Sequence, residues 1–288
     1  MNRLEAYYES LVVAGNKNLT PMRDDVDTSL MSSNIQQVAV GYATLKPTPD
    51  DSAEPLTQLL YGEEFAIYEE KNGWAWGQSQ HDFYVGYLPM TALAPTSLAP
   101  THRVKNLTTN LYIEPNGKSQ IARGIPFNSL VAVEGFCENV RFAKTALGWL
   151  PIEHIIPITE SQNYVEVAEM FLGCPYLWGG RNLLGIDCSG LLQAALNAAS
   201  LKAPRDTGMQ FDALGAKPIA SGQVYGRGDI IFFPGHVGIM ADETNLIHAN
   251  AYHMNTVVEP LADVIDRLKG NHDMPVTGVV TASIIAAL

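Results

Sequence analysis

Gly179-Gly180-Arg181-Asn182-Leu183-Leu184-Gly185-Ile186-Asp187-Cys188-Ser189-Gly190-Leu191-Leu192 is a glycine-rich loop that gives way to an apolar repeat. Cys188, Leu191, Leu192, Ala195 and Ala198 keep helical spacing, so the change of pattern predicts a helix opening at Cys188. A helix start directs free N–H groups and the positive dipole end at the sulfur, which favours thiolate and supplies donors for an oxyanion. A free cysteine is more commonly a small buried hydrophobe, so this feature alone leaves both readings open. Upstream, Tyr164, Val167, Ala168, Phe171 and Leu172 predict an amphipathic helix that Ser161 or Asn163 caps and Gly173 ends. Downstream, strand-like runs fall at 230–233, 237–240, 246–249 and 278–285. A helical half followed by a strand-rich half predicts an α+β fold for residues 159–288.

A thiol nucleophile needs a base, and His236 follows the turn Pro234-Gly235 at the start of a predicted strand. The short 242–245 connection returns the chain as the strand carrying His248, so the hairpin brings the two histidines within side-chain reach if both face the same side. Cys, His and a polar group behind the His make the set that nucleophilic catalysis requires. Zinc is the rival reading of Cys188, His236 and His248, although no CxxC or HxxxH pair accompanies them.

Residues 38–158 carry short β-type segments broken by Gly, Pro and Asn, with little helical periodicity. Gly62, Phe65, Gly73, Trp74, Gly86, Tyr87, Leu88, Pro89, Met90 and Leu93 recur 62 positions later as Gly124, Phe127, Gly135, Phe136, Gly148, Trp149, Leu150, Pro151, Ile152 and Ile155. That repeat predicts two small β-barrels in tandem, joined near Pro95 and Pro100. The expected organisation is an N-terminal arm (1–35), two barrels (36–96 and 97–158) and the α+β domain (159–288).

With 18 basic against 30 acidic residues and a net charge of −12, the chain is unsuited to a nucleic-acid partner. No run approaches the roughly 18 apolar residues of a spanning helix, which argues against a membrane partner. The first ten residues include Arg3, Glu5 and Glu9 and lack the apolar core of a secretory leader. Three cysteines, an odd number, do not form a disulfide framework. Together these readings place the protein in the cytoplasm.

The motifs Tyr176-Leu177-Trp178-Gly179-Gly180, Asp187-Cys188-Ser189-Gly190-Leu191, Pro204-Arg205-Asp206-Thr207 with Gln210, Gly228-Asp229-Ile230-Ile231-Phe232-Phe233 with His236-Val237-Gly238-Ile239, and Ile247-His248-Ala249-Asn250 resemble the NlpC/P60 family of cysteine peptidases. The repeated β region resembles the paired bacterial SH3 domains of γ-D-glutamyl-L-diamino-acid endopeptidases. The resemblance implies a papain-like NlpC/P60 catalytic domain preceded by two SH3-like barrels. It implies Cys188 as nucleophile, His236 as base and His248 as the group that orients the base. Asp187 and Ser189 are then the site that receives the substrate's free amino terminus, Arg205, Asp206 and Thr207 a substrate-lining segment, and Tyr84 a phenol reaching over the cysteine. Tyr84 has Ala146 as its counterpart at the constant offset, and Lys46 stands where some relatives carry an acidic residue. The implied substrate is a short muropeptide such as L-Ala-γ-D-Glu-diaminopimelate, with no metal or organic cofactor. An acyltransferase or amidase on the same scaffold, and a wall-binding protein without catalysis, are the alternative readings.

Overall fold

The computed structural model describes residues 34–96, 98–219, 222–270 and 272–288. The expected N-terminal arm therefore lies outside the described residues apart from its last two. The described residues divide into two compact units, one formed by residues 34–161 together with Arg181–Leu183, the other by residues 162–180 and 184–288.

The first unit is built from two successive sets of strands. The first set is β1 (Ile35–Val38), β2 (Tyr42–Leu45), β3 (Thr57–Leu60), β4 (Glu64–Lys71), β5 (Trp74–Ser79), β6 (Val85–Pro89) and β7 (Leu93–Pro95). It forms an antiparallel sheet in the order β6-β5-β4-β1-β7 beside the β2-β3 hairpin. Alternate residues such as Val38, Leu45, Leu59, Phe65, Ala75 and Leu88 point inward and make one core. The second set is β8 (His102–Val104), β9 (Thr108–Tyr112), β10 (Ile121–Pro126), β11 (Leu130–Val131), β12 (Gly135–Phe136), β13 (Phe142–Thr145), β14 (Gly148–Pro151) and β15 (Ile155–Pro157). Its sheets run β10-β9-β14-β13-β12 and β11-β8-β15 over a core of Val104, Leu111, Ile125, Val131, Ala143 and Leu150.

The two sets share a wiring pattern, but the correspondence is not at one offset. From Gly86 onward the 62-position shift holds, since β6, the 3-10 turn Met90–Ala92 and β7 match β14, the turn Ile152–His154 and β15. Earlier positions match at 66: the Gly62 N–H donates to Val38 O, as the Asn128 N–H donates to Val104 O. Both turn residues are left-handed, with φ of 82° and 62°. The sequence matches of Gly62 with Gly124 and Phe65 with Phe127 are therefore coincidental. In β5 the shift is 68, since Trp74 pairs with Pro89 as Phe142 pairs with Pro151, and the β5-β6 hairpin brings it to 62, because paired Gly77 and Gly86 enclose eight residues where paired Thr145 and Gly148 enclose two. Tyr84 belongs to that longer hairpin, so Ala146 is not its counterpart. Gly62 has a second duty, since a Cβ there would meet Leu130 O at 2.1 Å, and the Leu130 N–H donates to Tyr61 O across the same approach.

The second unit opens with α1 (Tyr164–Met170), capped by Asn163, whose side chain accepts from the N–H groups of Val165 and Glu166. Next come α2 (Cys188–Ala198) and α3 (Thr207–Leu214), then β16 (Ile230–Phe233), β17 (His236–Met240), β18 (Asn245–Asn250), β19 (Asn255–Pro260), α4 (Leu261–Lys269), β20 (Gly278–Val280) and α5 (Ala282–Ile285). The sheet order is β19-β18-β17-β16-β20, and α2 packs on β17 and β18. Every residue of β16 is buried, which is what its unbroken Ile-Ile-Phe-Phe run demands of an inner strand.

Two features differ from expectation. The strand expected over 278–285 stops at Val280, because the Asp229 carboxylate accepts from the Ala282 N–H and starts α5 there. Residues 255–269 carry a strand and a helix that the sequence reading left out. Leu261, Val264, Ile265 and Leu268 do keep helical spacing, and they pack into the core beneath the sheet.

Candidate active site

The site lies in the second unit, where α2 meets β17. Asp187 caps α2 in extended conformation, its Oδ1 accepting from the Gly190 N–H at 2.7 Å. Glycine at 190 permits this closeness, since a Cβ there would meet Gly180 O at 2.4 Å and Asp187 Oδ1 at 2.9 Å. Cys188, half-buried, thus sits at the first helical position. Its Sγ lies 3.9 Å from Thr207 Oγ1, and the backbone N–H of Val237, next to His236, also reaches it. Burial pushes the Cys188 thiol up and the Asp187 charge adds to this, while the Val237 and Thr207 donors oppose it.

Behind Cys188 the polar groups form a chain. His236 Nε2 lies 2.7 Å from His248 Nδ1, and His248 Nε2 lies 2.7 Å from Glu259 Oε1. Pairing of Ile239 with Ile247 and of Met240 with Leu246 sets this register between β17 and β18. Arg267, from α4, grips Glu259 with both Nη atoms, at 3.0 and 2.6 Å. Burial, with the adjoining His248 ring and the Arg267 charge adding to it, pushes His236 down to about 3. Burial also lowers His248, against the pull of Glu259. Burial would raise the Glu259 carboxyl, but hydrogen bonds from Arg267 and His248 hold it at about 2.

The remaining residues singled out in the sequence take distinct places. Asp187 is nearly buried, and its carboxylate accepts from the Gly179 and Gly190 N–H groups, Ser189 Oγ and Arg205 Nη2. Arg205, only 1% exposed, also donates to Ser189 Oγ at 2.7 Å. It is a brace under Asp187 and Ser189 rather than an open wall of a cleft. Asp206 is the N-cap residue of α3 and Thr207 its first residue, which brings the Thr207 hydroxyl to Cys188. Tyr84 belongs to the other unit, where it packs into the first barrel core. Lys46, in that unit, donates to the carbonyls of Asp51 and Ala53.

Three groups beside the site were missed. Glu259 and Arg267 lie on elements the sequence reading omitted. Tyr176 stood in a quoted motif without a role, yet its phenol is pushed up to about 12 by burial, with Cys188 and Asp187 adding to the shift. Among the described residues, no group of three or more His, Cys, Asp or Glu side chains converges as metal ligands would. His236 and His248 instead turn a nitrogen each toward the other.

Residues 173–267 match the NlpC/P60 family model, and residues 45–93 match the model of the bacterial dipeptidyl-peptidase SH3 domain. The chain thus carries an NlpC/P60 domain behind an SH3 domain of that type. A dipeptidyl-peptidase 6 from Lysinibacillus sphaericus is 28% identical over 232 residues, spanning 72% of this chain and 84% of its own. A γ-D-glutamyl-L-lysine dipeptidyl-peptidase from Bacillus cereus is 25% identical over 238 residues, 71% of this chain and 70% of its own. The crystal structure of an NlpC/P60 family protein from Bacillus cereus superposes with a TM-score of 0.71 at 20% identity, covering 85% of this chain and 98% of that one, which establishes a shared fold. Among the described residues no helix is long and apolar enough to cross a membrane.

Proposed function

We propose that the protein is a cysteine peptidase that hydrolyses the bond between γ-D-glutamate and a diamino acid in short peptidoglycan-derived peptides bearing a free N-terminal L-alanine. The observation that carries this is the alignment of Cys188, at the start of α2, with the β17 backbone beside His236 and the His236–His248 contact of 2.7 Å. The relatives' printed names, a dipeptidyl-peptidase from Lysinibacillus sphaericus and a γ-D-glutamyl-L-lysine dipeptidyl-peptidase from Bacillus cereus, support the substrate class, since such enzymes release an N-terminal dipeptide. We also take the second strand set as a second SH3-like barrel, on the shared wiring of its hairpins.

In the reaction, His236 takes the Cys188 proton as sulfur attacks the γ-carbonyl carbon. The C–N bond breaks, the departing amine takes the proton from His236, and a thioester to the dipeptide remains. Water, deprotonated by His236, then cleaves the thioester, releasing L-Ala-D-Glu and restoring the thiol. The Val237 N–H and the Thr207 hydroxyl stabilise sulfur as it gains charge, and Asp187 contributes negative charge at the amine end of the peptide. Cleaving such peptides salvages cell-wall fragments. Incubating the purified protein with L-Ala-γ-D-Glu-diaminopimelate should yield L-Ala-D-Glu and free diaminopimelate by mass spectrometry, and Cys188→Ala should yield neither. Turnover retained in Cys188→Ala would overturn the assignment.

A further inference from the structure

The polar chain behind His236 continues past His248. Glu259 Oε1 lies 2.7 Å from His248 Nε2, and Arg267 clasps the same carboxylate from α4. We propose that Glu259 is a positioning residue that sets the tautomers of both histidines, and thereby leaves a lone pair on the ring nitrogen of His236 not bonded to His248. The inference rests on the reading of His236 as the catalytic base.

The argument is one of donors and acceptors. A carboxylate can only accept, so the 2.7 Å contact requires a proton on His248 Nε2. A neutral imidazole protonated there has Nδ1 as an acceptor. His236 Nε2, 2.7 Å from that Nδ1, must then carry a proton, and His236 Nδ1 is left basic. Each link fixes the next. Burial keeps both rings neutral near pH 7, and the two Arg267 contacts keep Glu259 ionised.

Asn250 supplies the competing arrangement. Its Oδ1 accepts from the His253 N–H at 2.8 Å, which turns the amide nitrogen toward His248 Nε2 at 3.0 Å. That ring nitrogen cannot accept from Asn250 while donating to Glu259. The ionised carboxylate, closer by 0.3 Å on the two cited distances, prevails as the stronger partner. Without the carboxylate, the Asn250 amide would donate instead and the whole chain would invert. His248 Nδ1–H would donate to His236 Nε2, and the His236 proton would move to Nδ1. A base in the wrong tautomer retains its geometry and loses its chemistry.

The test uses the full chain near pH 7. Imidazole ¹⁵N spectra of the wild type should show Nε2–H on both His236 and His248. Glu259→Gln should move the His236 proton to Nδ1 and lower kcat about 100-fold, leaving KM within about twofold, since the residue touches no substrate. Adding Asn250→Asp, which places a carboxylate against His248 Nε2, should restore at least about tenfold of the lost kcat. A merely structural Glu259 would show no such rescue. Nδ1–H on His236 in the wild type, or Glu259→Gln retaining kcat within twofold, would overturn the proposal. The wild-type spectra decide the tautomers even if Glu259→Gln fails to fold. Turnover persisting in Cys188→Ala would instead sink the peptidase reading and leave the measured tautomers standing.

Discussion

Arg205 Nη2 lies 2.6 Å from Asp187 Oδ2, and the two side chains are 1% and 7% exposed. The pair joins α2, whose first turn Asp187 caps, to the segment leading into α3, from which Thr207 reaches Cys188. The positions of Cys188 and of the Thr207 hydroxyl therefore depend on a guanidinium that bonds Asp187 and Ser189.

Removing Arg205 should cost stability and activity together. Arg205→Met leaves the Asp187 charge buried without its partner, and breaking such a pair costs about 3 to 5 kcal/mol. Arg205→Lys should recover little, because one ammonium cannot serve Ser189 and Asp187 from separate fork nitrogens. Urea unfolding of the full chain would read this. A loss under about 1 kcal/mol in Arg205→Met would show that the pair is not the brace described.

The free enzyme should hold a neutral thiol beside a neutral imidazole, since burial raises Cys188 and pushes His236 down to about 3. The rate of alkylation by iodoacetamide follows the thiolate fraction, so it should rise about tenfold per pH unit from pH 6 to 8. A plateau reaching down to pH 5 would mean a preformed thiolate–imidazolium pair and would contradict this description.

A second buried pair lies in the barrel unit. Glu63 and Arg181 are 3% and 4% exposed and meet through two 2.8 Å contacts, while Glu63 Oε2 also accepts from the Leu60 N–H. Arg181 further donates to the Gln58 carbonyl at 2.7 Å. Glu63→Ala should destabilise this unit by about 3 to 5 kcal/mol. Glu63→Ala combined with Arg181→Met should cost less than the two single losses added, because neither charge is then left alone. Strict additivity in denaturation would refute the coupling.

These sites mark how far the sequence could be read. The helix start at Cys188, the Asn163 cap and the hairpin that joins His236 to His248 were legible because each is a local pattern with its own turn chemistry. Glu259 was not, because a single acidic residue in a strand gains meaning only from partners on other elements. Its guanidinium partner, eight positions away, faces it only after the chain turns at Pro260 from β19 into α4. The barrel repeat was visible through its second half, whereas equal turns built on Gly62 and Asn128 hid the first half by using different residues for one backbone conformation. Arg205 read as a lining residue because sequence carries no direct record of burial, and a charge sealed behind a carboxylate and a hydroxyl looks the same as one facing a cleft.

The proposed preference for a free amino terminus makes the last prediction. Asp187 supplies negative charge beside Cys188, held rigid by four donors. An L-alanine ammonium arriving there would share an acceptor already in use, which places its contribution at the low end of the range for a buried charged contact, about 2 kcal/mol. N-acetyl-L-Ala-γ-D-Glu-diaminopimelate, which lacks the charge and adds bulk, should therefore be cleaved with kcat/KM lower by roughly 30-fold. Asp187→Asn should narrow the gap between the free and acetylated peptides, besides lowering activity on both through the weakened cap of α2. Cleaving both peptides equally fast would remove the basis for amine selection, and an unchanged gap in Asp187→Asn would assign that selection to other residues.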